Sequence, residues 1–354
     1  LLLIKTSFAW GSTRMICTIG VLTTFAFWLL LPDTAYAWGP VTHLQLGIEA
    51  LRHLSLLGHS LRMLLESFPY DYLYGCIGAD IIFAKGLARI HDHSHNWLVG
   101  FSVLEEAVSP AQESFAYGYL SHLAADTVAH NHFIPECIIR TYPAKTLRHA
   151  YWEVRFDTLA KRELWALARE ILRLPQHEED DHLLEKVVKR TLFSFKTDKK
   201  IFSSLLILNR MEQWQRMLEN MSEKSIWSLS DRDAAKYRGL SFKNTIDFLL
   251  NLERAACLKM DPTGKDALVS AKWMRRNLRV LDRRGKLEPD LYVKALKSLQ
   301  PEEPAREPHP TNPPDGPISR TSSVEPGSGR VPGGPRGAST EEAIRLLFHP
   351  RRSA

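Results

Sequence analysis

Cysteine is scarce in this chain. Cys17, Cys76, Cys137 and Cys257 are the only four in 354 residues, and no CxxC pair occurs. Scattered cysteines in that number exclude a disulfide framework and a thiolate zinc site. A Gly-rich phosphate loop and a GxSxG elbow are also missing, so nucleotide-driven phosphoryl transfer and serine esterase chemistry have no support. No stretch alternates apolar and polar residues as a half-buried strand would, and no internal repeat stands out. What remains is helical periodicity with 44% hydrophobic residues, enough for a substantial core. The fold class that follows is all-α, a single multi-helix domain. Charge of one sign is in short supply as well: 46 Lys and Arg stand against 40 Asp and Glu. The short basic runs Lys196 to Lys200 and Arg275 to Arg284 read as solvated helix faces first and as anionic-surface contacts second. No specific nucleic-acid or protein partner is expected.

Long apolar runs are limited to one. From Ile16 to Leu31 the chain is almost wholly apolar, and no Lys or Arg occurs between Met15 and Arg52. The run is short for a spanning helix, which needs about 20 residues. It ends in Pro32-Asp33-Thr34 and then Ala35-Tyr36-Ala37, a small-x-small cleavage signal. The expectation is a signal peptide over residues 1–37, cleaved after Ala37, and a secreted or periplasmic protein; the Ala-Tyr-Ala site argues against an uncleaved anchor. Cleavage would make Trp38 the N-terminal residue, and a free α-amine is a metal ligand where a peptide nitrogen is not. At the other end, residues 300–354 turn to Pro, Gly, Ser and Glu, too poor in apolar side chains to order themselves. The folded domain is thus expected over residues 38–299.

Within that domain the richest stretch is Tyr119 to Pro135, where His122, Asp126 and His130 recur every fourth residue among small apolar neighbours. On a helix each such step turns the side chain by about 40°, so the three form one polar stripe roughly 12 Å long. A buried helix whose polar residues satisfy one another would explain a single HxxxD. Here His132 adds another imidazole, and His149 and Glu153 repeat the i, i+4 pairing of imidazole and carboxylate. Burying so polar a cluster is costly unless ions or partners satisfy it. Upstream, Asp80 sits in the apolar Gly78-Ala79-Asp80-Ile81-Ile82, and His91, His93 and His95 crowd one short tract that otherwise reads as a solvated loop. His43, alone on an apolar helix, reads as a core imidazole unless other donors meet it.

The donors are nitrogen and oxygen: the Trp38 amine and carbonyl, His43, Asp80, His95, His122, Asp126, His130, His149 and Glu153. That set suits catalytic zinc, and its size implies several ions with a carboxylate such as Asp126 bridging two. Clustered divalent cations best serve an anionic substrate with a more anionic transition state, as phosphate esters have. Helices are expected from Val41 to Leu57, from Ser109-Pro110 through the stripe to Pro135, and from Thr146 to Leu174. More follow over Asp181 to Phe195, Ile201 to Met221, Asn244 to Leu258, Lys265 to Val280 and Leu287 to Leu299, all assigned to packing. His182 reads as a solvated helix-start residue.

In order and spacing these residues resemble the secreted zinc-dependent phospholipase C family, related to the single-strand-specific zinc nucleases and to the catalytic domain of glycosylphosphatidylinositol-specific phospholipase D. The resemblance runs from Trp38 to Glu153: an N-terminal Trp after signal removal, His43 on the first helix, Asp80, then His95 in Ser94-His95-Asn96-Trp97, the HxxxD of His122 and Asp126, and the HxxxE of His149 and Glu153. It implies an all-helical fold, about three Zn2+ ions, and Asp80 as the catalytic general base or water-orienting group. The implied substrate is a phospholipid or other phosphodiester, with peripheral contact to a membrane surface. In the bacterial phospholipases and the nucleases the ligand after HxxxD would be His132, whereas in the glycosylphosphatidylinositol enzyme it would be His130. His130 continues the stripe and is preferred, with His132 the alternative, and His95 is preferred over His93 because Asn96-Trp97 follow it.

Overall fold

The computed structural model describes residues 38–82, 94–144, 149–188, 194–210 and 229–299. The expected signal peptide, His91 and His93, the side chain of His149 and the tail from residue 300 lie outside the described residues. Among the described residues the regular structure is helical throughout, with no strand, as expected for an all-α chain. No helix of this set is long and apolar enough to cross a membrane.

The site hangs on one central helix, α5 (Pro110–Val128). Its start is well specified: Ser109 accepts the Gln112 amide at 3.2 Å, Pro110 occupies the first turn, and Glu113 lies at the positive end of the helix dipole. Beyond that turn the residues are mostly apolar on every side, with no Lys, Arg or Glu after Glu113, so the helix can be enclosed. Every residue from Ser114 to Val128 is buried. Around it pack α1 (Pro40–Arg52), α3 (Pro69–Ile81), α4 (Trp97–Glu106) and α11 (Asp231–Asn251). A short α2 (His59–Ser67) links α1 to α3.

Two apolar clusters fill the interior. The larger gathers Leu44, Ile77, Phe115, Leu120 and Leu123 with α8 (Arg162–Ile171), α9 (Glu178–Val187) and α10 (Phe195–Arg210). The smaller gathers Trp38, Val128, Phe133, Trp152 and Phe156 with α6 (Ile134–Arg140), α7 (His149–Asp157), α12 (Lys265–Arg283) and α13 (Pro289–Lys297). Helix α5 passes from one cluster to the other between Ala124 and Ala125, immediately before Asp126.

Two expected helices are interrupted. The stripe helix does not run regularly to Pro135: a π-helical turn occupies Ala129–Phe133, and α6 then carries the helix on to Arg140. Pro135 is the local cause, since it lacks an amide for the Asn131 carbonyl and its ring crowds that oxygen, which a widened turn relieves. The expected helix from Thr146 to Leu174 is likewise two helices. Helix α7 packs on α1 and α6, whereas α8 packs on α10, α1 and α3, so the chain turns at residues 158–161.

Candidate metal centre

The close crossing of α3 and α5 sets the site. A Cβ on Gly75 would lie 2.0 Å from the Phe115 carbonyl oxygen, and one on Gly118 would lie 2.0 Å from the Tyr72 carbonyl oxygen. Only two glycines facing each other allow backbones this near. One turn past Gly118 on α5, the Nδ1 of His122 meets the carbonyl oxygen of Cys76, the residue next to Gly75, at 2.9 Å. One turn beyond that, Asp80 on α3 and Asp126 on α5 reach the same small volume, both buried. Gly118, His122 and Asp126 at four-residue spacing on α5 thus work with Gly75, Cys76 and Asp80 on α3 to do three jobs: close approach, orientation of an imidazole, and delivery of a carboxylate.

His43 and His95 arrive from other elements. His43, in the first turns of α1, places Nε2 3.1 Å from Asp126 Oδ1 and stacks its ring on His122 at 3.6 Å between centroids. The start of α1 is held from α7: Asp157 accepts the Thr42 amide at 3.0 Å, the Val41 amide at 3.3 Å and the Thr42 hydroxyl at 2.5 Å. His95 sits just before α4, whose first turn is capped by Asn96 accepting the Leu98 amide at 2.8 Å. The Tyr119 hydroxyl donates to the Ser94 carbonyl at 2.5 Å, and Ser94 Oγ lies 3.1 Å from His95 Nδ1. His95 Nε2 then stands 3.3 Å from Asp80 Oδ1, 3.2 Å from Asp126 Oδ2 and 3.0 Å from His122 Nε2.

The donor set decides what fits there. His122 donates its Nδ1 proton to Cys76, so its Nε2 presents a lone pair to His95 and, at 3.3 Å, to Asp126 Oδ2. Lone pairs and carboxylate oxygens converging in a buried volume repel one another unless a cation stands between them. Bonds of about 2.1 Å to a tetrahedral zinc put neighbouring ligand atoms about 3.4 Å apart, close to the separations seen. Two carboxylates and neutral imidazoles also match the charge of a divalent ion. Two overlapping triads meet these terms, His43 with Asp80 and His122, and His95 with His122 and Asp126. The same field governs protons. Burial disfavours charge on His122, but the Asp126 and Asp80 carboxylates outweigh it and raise its pKa. Burial and then the neighbouring His122 lower that of His43. Burial likewise works against the Asp126 carboxylate, yet His122 and His43 hold it well below the usual range.

Residues 42–202 match the family model described as zinc dependent phospholipase C. Over that segment the chain resembles the family. No curated protein and no solved structure matches the chain. The phospholipase C segment runs from α1 into α10 and contains all five convergent residues, whereas Trp38 and α11 to α13 fall outside it. A zinc-dependent family is in keeping with the nitrogen and oxygen donors gathered at the crossing. The thiols take no part: Cys76, Cys137 and Cys257 are free and buried.

The other expected residues stand outside these two triads. The Trp38 indole donates to the Ala125 carbonyl at 3.2 Å and to Ser241 Oγ at 3.0 Å, with Phe133 and Phe156 against its ring. Its indole is thereby tethered to the residue preceding Asp126. His130 and His132 both fall in the π-turn and part company there. His130 is fully buried, its Nδ1 2.6 Å from the Pro262 carbonyl, the same backbone-carbonyl support that His122 has. His132 is half-buried against the Leu299 carbonyl at 2.9 Å. Glu153 is buried on α7, and His149 opens that helix. His182 is exposed near the start of α9, as expected.

One cluster had no counterpart in the sequence reading. Asp71 at the start of α3, His177 and Asp180 are buried together, with His177 Nδ1 3.1 Å from Asp180 and 3.5 Å from Asp71. Tyr74 stacks on the His177 ring at 4.2 Å. His177 and Asp180 are three residues apart at the start of α9, but nothing local names Asp71 on α3 as their partner.

Proposed function

We propose that this chain is a secreted zinc-dependent phosphodiesterase that cleaves phospholipids in the manner of a phospholipase C. The observation that carries the reading is the convergence of three imidazole Nε2 atoms and two carboxylates at one glycine crossing inside the family segment. His43, Asp80, His95, His122 and Asp126 would hold metal directly. The Trp38 amine and carbonyl, His130 rather than His132, His149 and Glu153 would complete a set for about three zinc ions. Bound zinc would supply a Lewis acid for a phosphoryl oxygen and a water of lowered pKa.

The chain's own groups do the rest. Asp80 accepts the proton of the attacking water or orients it, and the water oxygen bonds to phosphorus. The bond from phosphorus to the diacylglycerol oxygen breaks, and that oxygen takes up a proton. The products are diacylglycerol and a phosphorylated head group. The His122 and His95 rings, fixed through Cys76 and Ser94, need no rearrangement during the step. Cleavage after Ala37 both releases the protein from its exporting cell compartment and frees the Trp38 amine.

The test is N-terminal sequencing and metal analysis of the exported protein, with turnover of phosphatidylcholine compared with single-stranded DNA and a chromogenic phosphodiester. The expected result is a chain beginning at Trp38, about three equivalents of zinc, and chelator-sensitive release of phosphocholine. Faster hydrolysis of DNA than of lipid would make the protein a nuclease instead. Bound zinc without turnover of any phosphodiester would make it a metal-stabilised envelope protein.

A further inference from the structure

Helix α12 presents an unusual outer face. Val269, Trp273 and Val280 are 60%, 65% and 40% exposed. Their spacing of four and seven residues lines them on one side of the helix over about 16 Å. Lys265, Lys272, Arg276, Arg283 and Arg284 are exposed along the same helix and its end, outnumbering the exposed acids Asp266 and Asp282. The opposite side is committed to the fold: Leu268, Ala271 and Leu278 are buried. Arg275 donates to the Ala144 carbonyl at 2.7 Å and Arg279 to the Tyr142 carbonyl at 2.9 Å. Two arginines of the basic run therefore clamp the helix down, while most of the remaining cations border one side of an apolar stripe that faces outward.

The position of this face matters. Gly264 caps α12 in the left-handed conformation, φ 54°, and a Cβ there would lie 2.4 Å from the His130 carbonyl oxygen. The preceding Pro262 receives His130 Nδ1. The apolar stripe thus begins about 8 Å along the helix from the end of the polar stripe on α5.

We propose that α12 is an interfacial docking helix: Val269, Trp273 and Val280 enter an anionic phospholipid surface while Lys265, Arg276, Arg283 and Arg284 meet the lipid phosphates. An apolar stripe bordered by cations is the pattern of a helix lying in the membrane interface. Charge selects this occupant over the others. Two copies meeting through this face would bring cation against cation. Residues 301–354 contain seven acidic and seven basic side chains and so bring no net negative charge to it. The inference rests on the phospholipid reading of the site, but α12 lies outside the family segment and family membership does not imply it.

The experiment uses the full exported chain with its metal. Sedimentation with phosphatidylcholine vesicles, with and without phosphatidylglycerol, is measured for wild type, W273S and the double variant R276S/R283S. Turnover of the same vesicles is set against that of a soluble chromogenic phosphodiester. The expected result is binding that requires phosphatidylglycerol, falls about 30-fold in the double variant and at least about tenfold in W273S, with soluble-substrate turnover unchanged. Because Trp273 and the two arginines are exposed, the variants retain the fold, which a thermal melt checks. Equal binding by wild type and both variants overturns the proposal, as does a dimer that W273S dissociates. If wild type turns over neither substrate, the catalytic reading fails while the binding series still tests α12.

Discussion

Ser94 is the most informative single residue for the metal centre. Its carbonyl takes the Tyr119 hydroxyl and its own hydroxyl supports His95 Nδ1, so it orients an imidazole without itself touching the centre. Ser94→Ala should weaken metal affinity by about 10–100-fold, read by chelator competition, with little change in thermal stability of the metal-free protein. Asp157 offers a pH test at the same scale. Burial pushes its carboxyl up to about 7, against the pull of the hydrogen bonds from Thr42 and Val41. The folded state therefore keeps a proton that the unfolded state releases near pH 4, and stability falls as pH rises from about 4 to 7. The slope approaches about 1.4 kcal/mol per pH unit. In metal-free protein, denaturant melts of Asp157→Asn should lack that slope.

At the scale of elements, the α3–α5 crossing is the joint the site depends on. Gly75→Ala or Gly118→Ala would press a methyl into a facing carbonyl. Each should cost at least about 1–3 kcal/mol in a urea melt and separate His122 from Cys76, reducing turnover beyond the stability loss. How much of this was legible in the sequence depends on whether the information was local. The i, i+4 spacing of His122 and Asp126 is a property of one helix, and it placed them on one buried face. The glycine partnership is not local: nothing near Gly75 names Gly118 as its neighbour. The same limit hid Asp71, His177 and Asp180, which come from separate elements. The π-turn was a different failure, since a strict four-residue rule carried through Pro135 puts His130 in register with Asp126. The turn interrupts that register, and since both imidazoles meet a backbone carbonyl, burial alone distinguishes His130 from His132.

On the scale of the whole molecule, the polar cluster lies where α5 leaves one apolar core for the other. A cation there would bind donors from α1, α3, α5 and the start of α4, cross-linking elements of both cores. Chelation should therefore lower the melting temperature as well as abolish turnover. For metal at a thousandfold excess over its dissociation constant the loss is about 4 kcal/mol, or roughly 10 °C for a domain of this size, measurable by calorimetry. The all-α class and the helix positions from residue 265 onward were legible because amphipathic periodicity persists wherever one face stays wet, whereas the helix expected from Asn244 to Leu258 instead runs from Asp231 to Asn251. The helices around α3 were not, because a segment buried on all sides has no such contrast.

The three described thiols are all sealed inside the fold, and this has a practical use. A maleimide reagent applied to the native exported protein finds no competing sulfhydryl among the described surface residues. Ser270, exposed on α12 beside Val269, can be replaced by Cys to carry a spin label or fluorophore at a defined address. Accessibility of such a probe to a lipid-soluble or a water-soluble quencher would then report the depth of this helix directly.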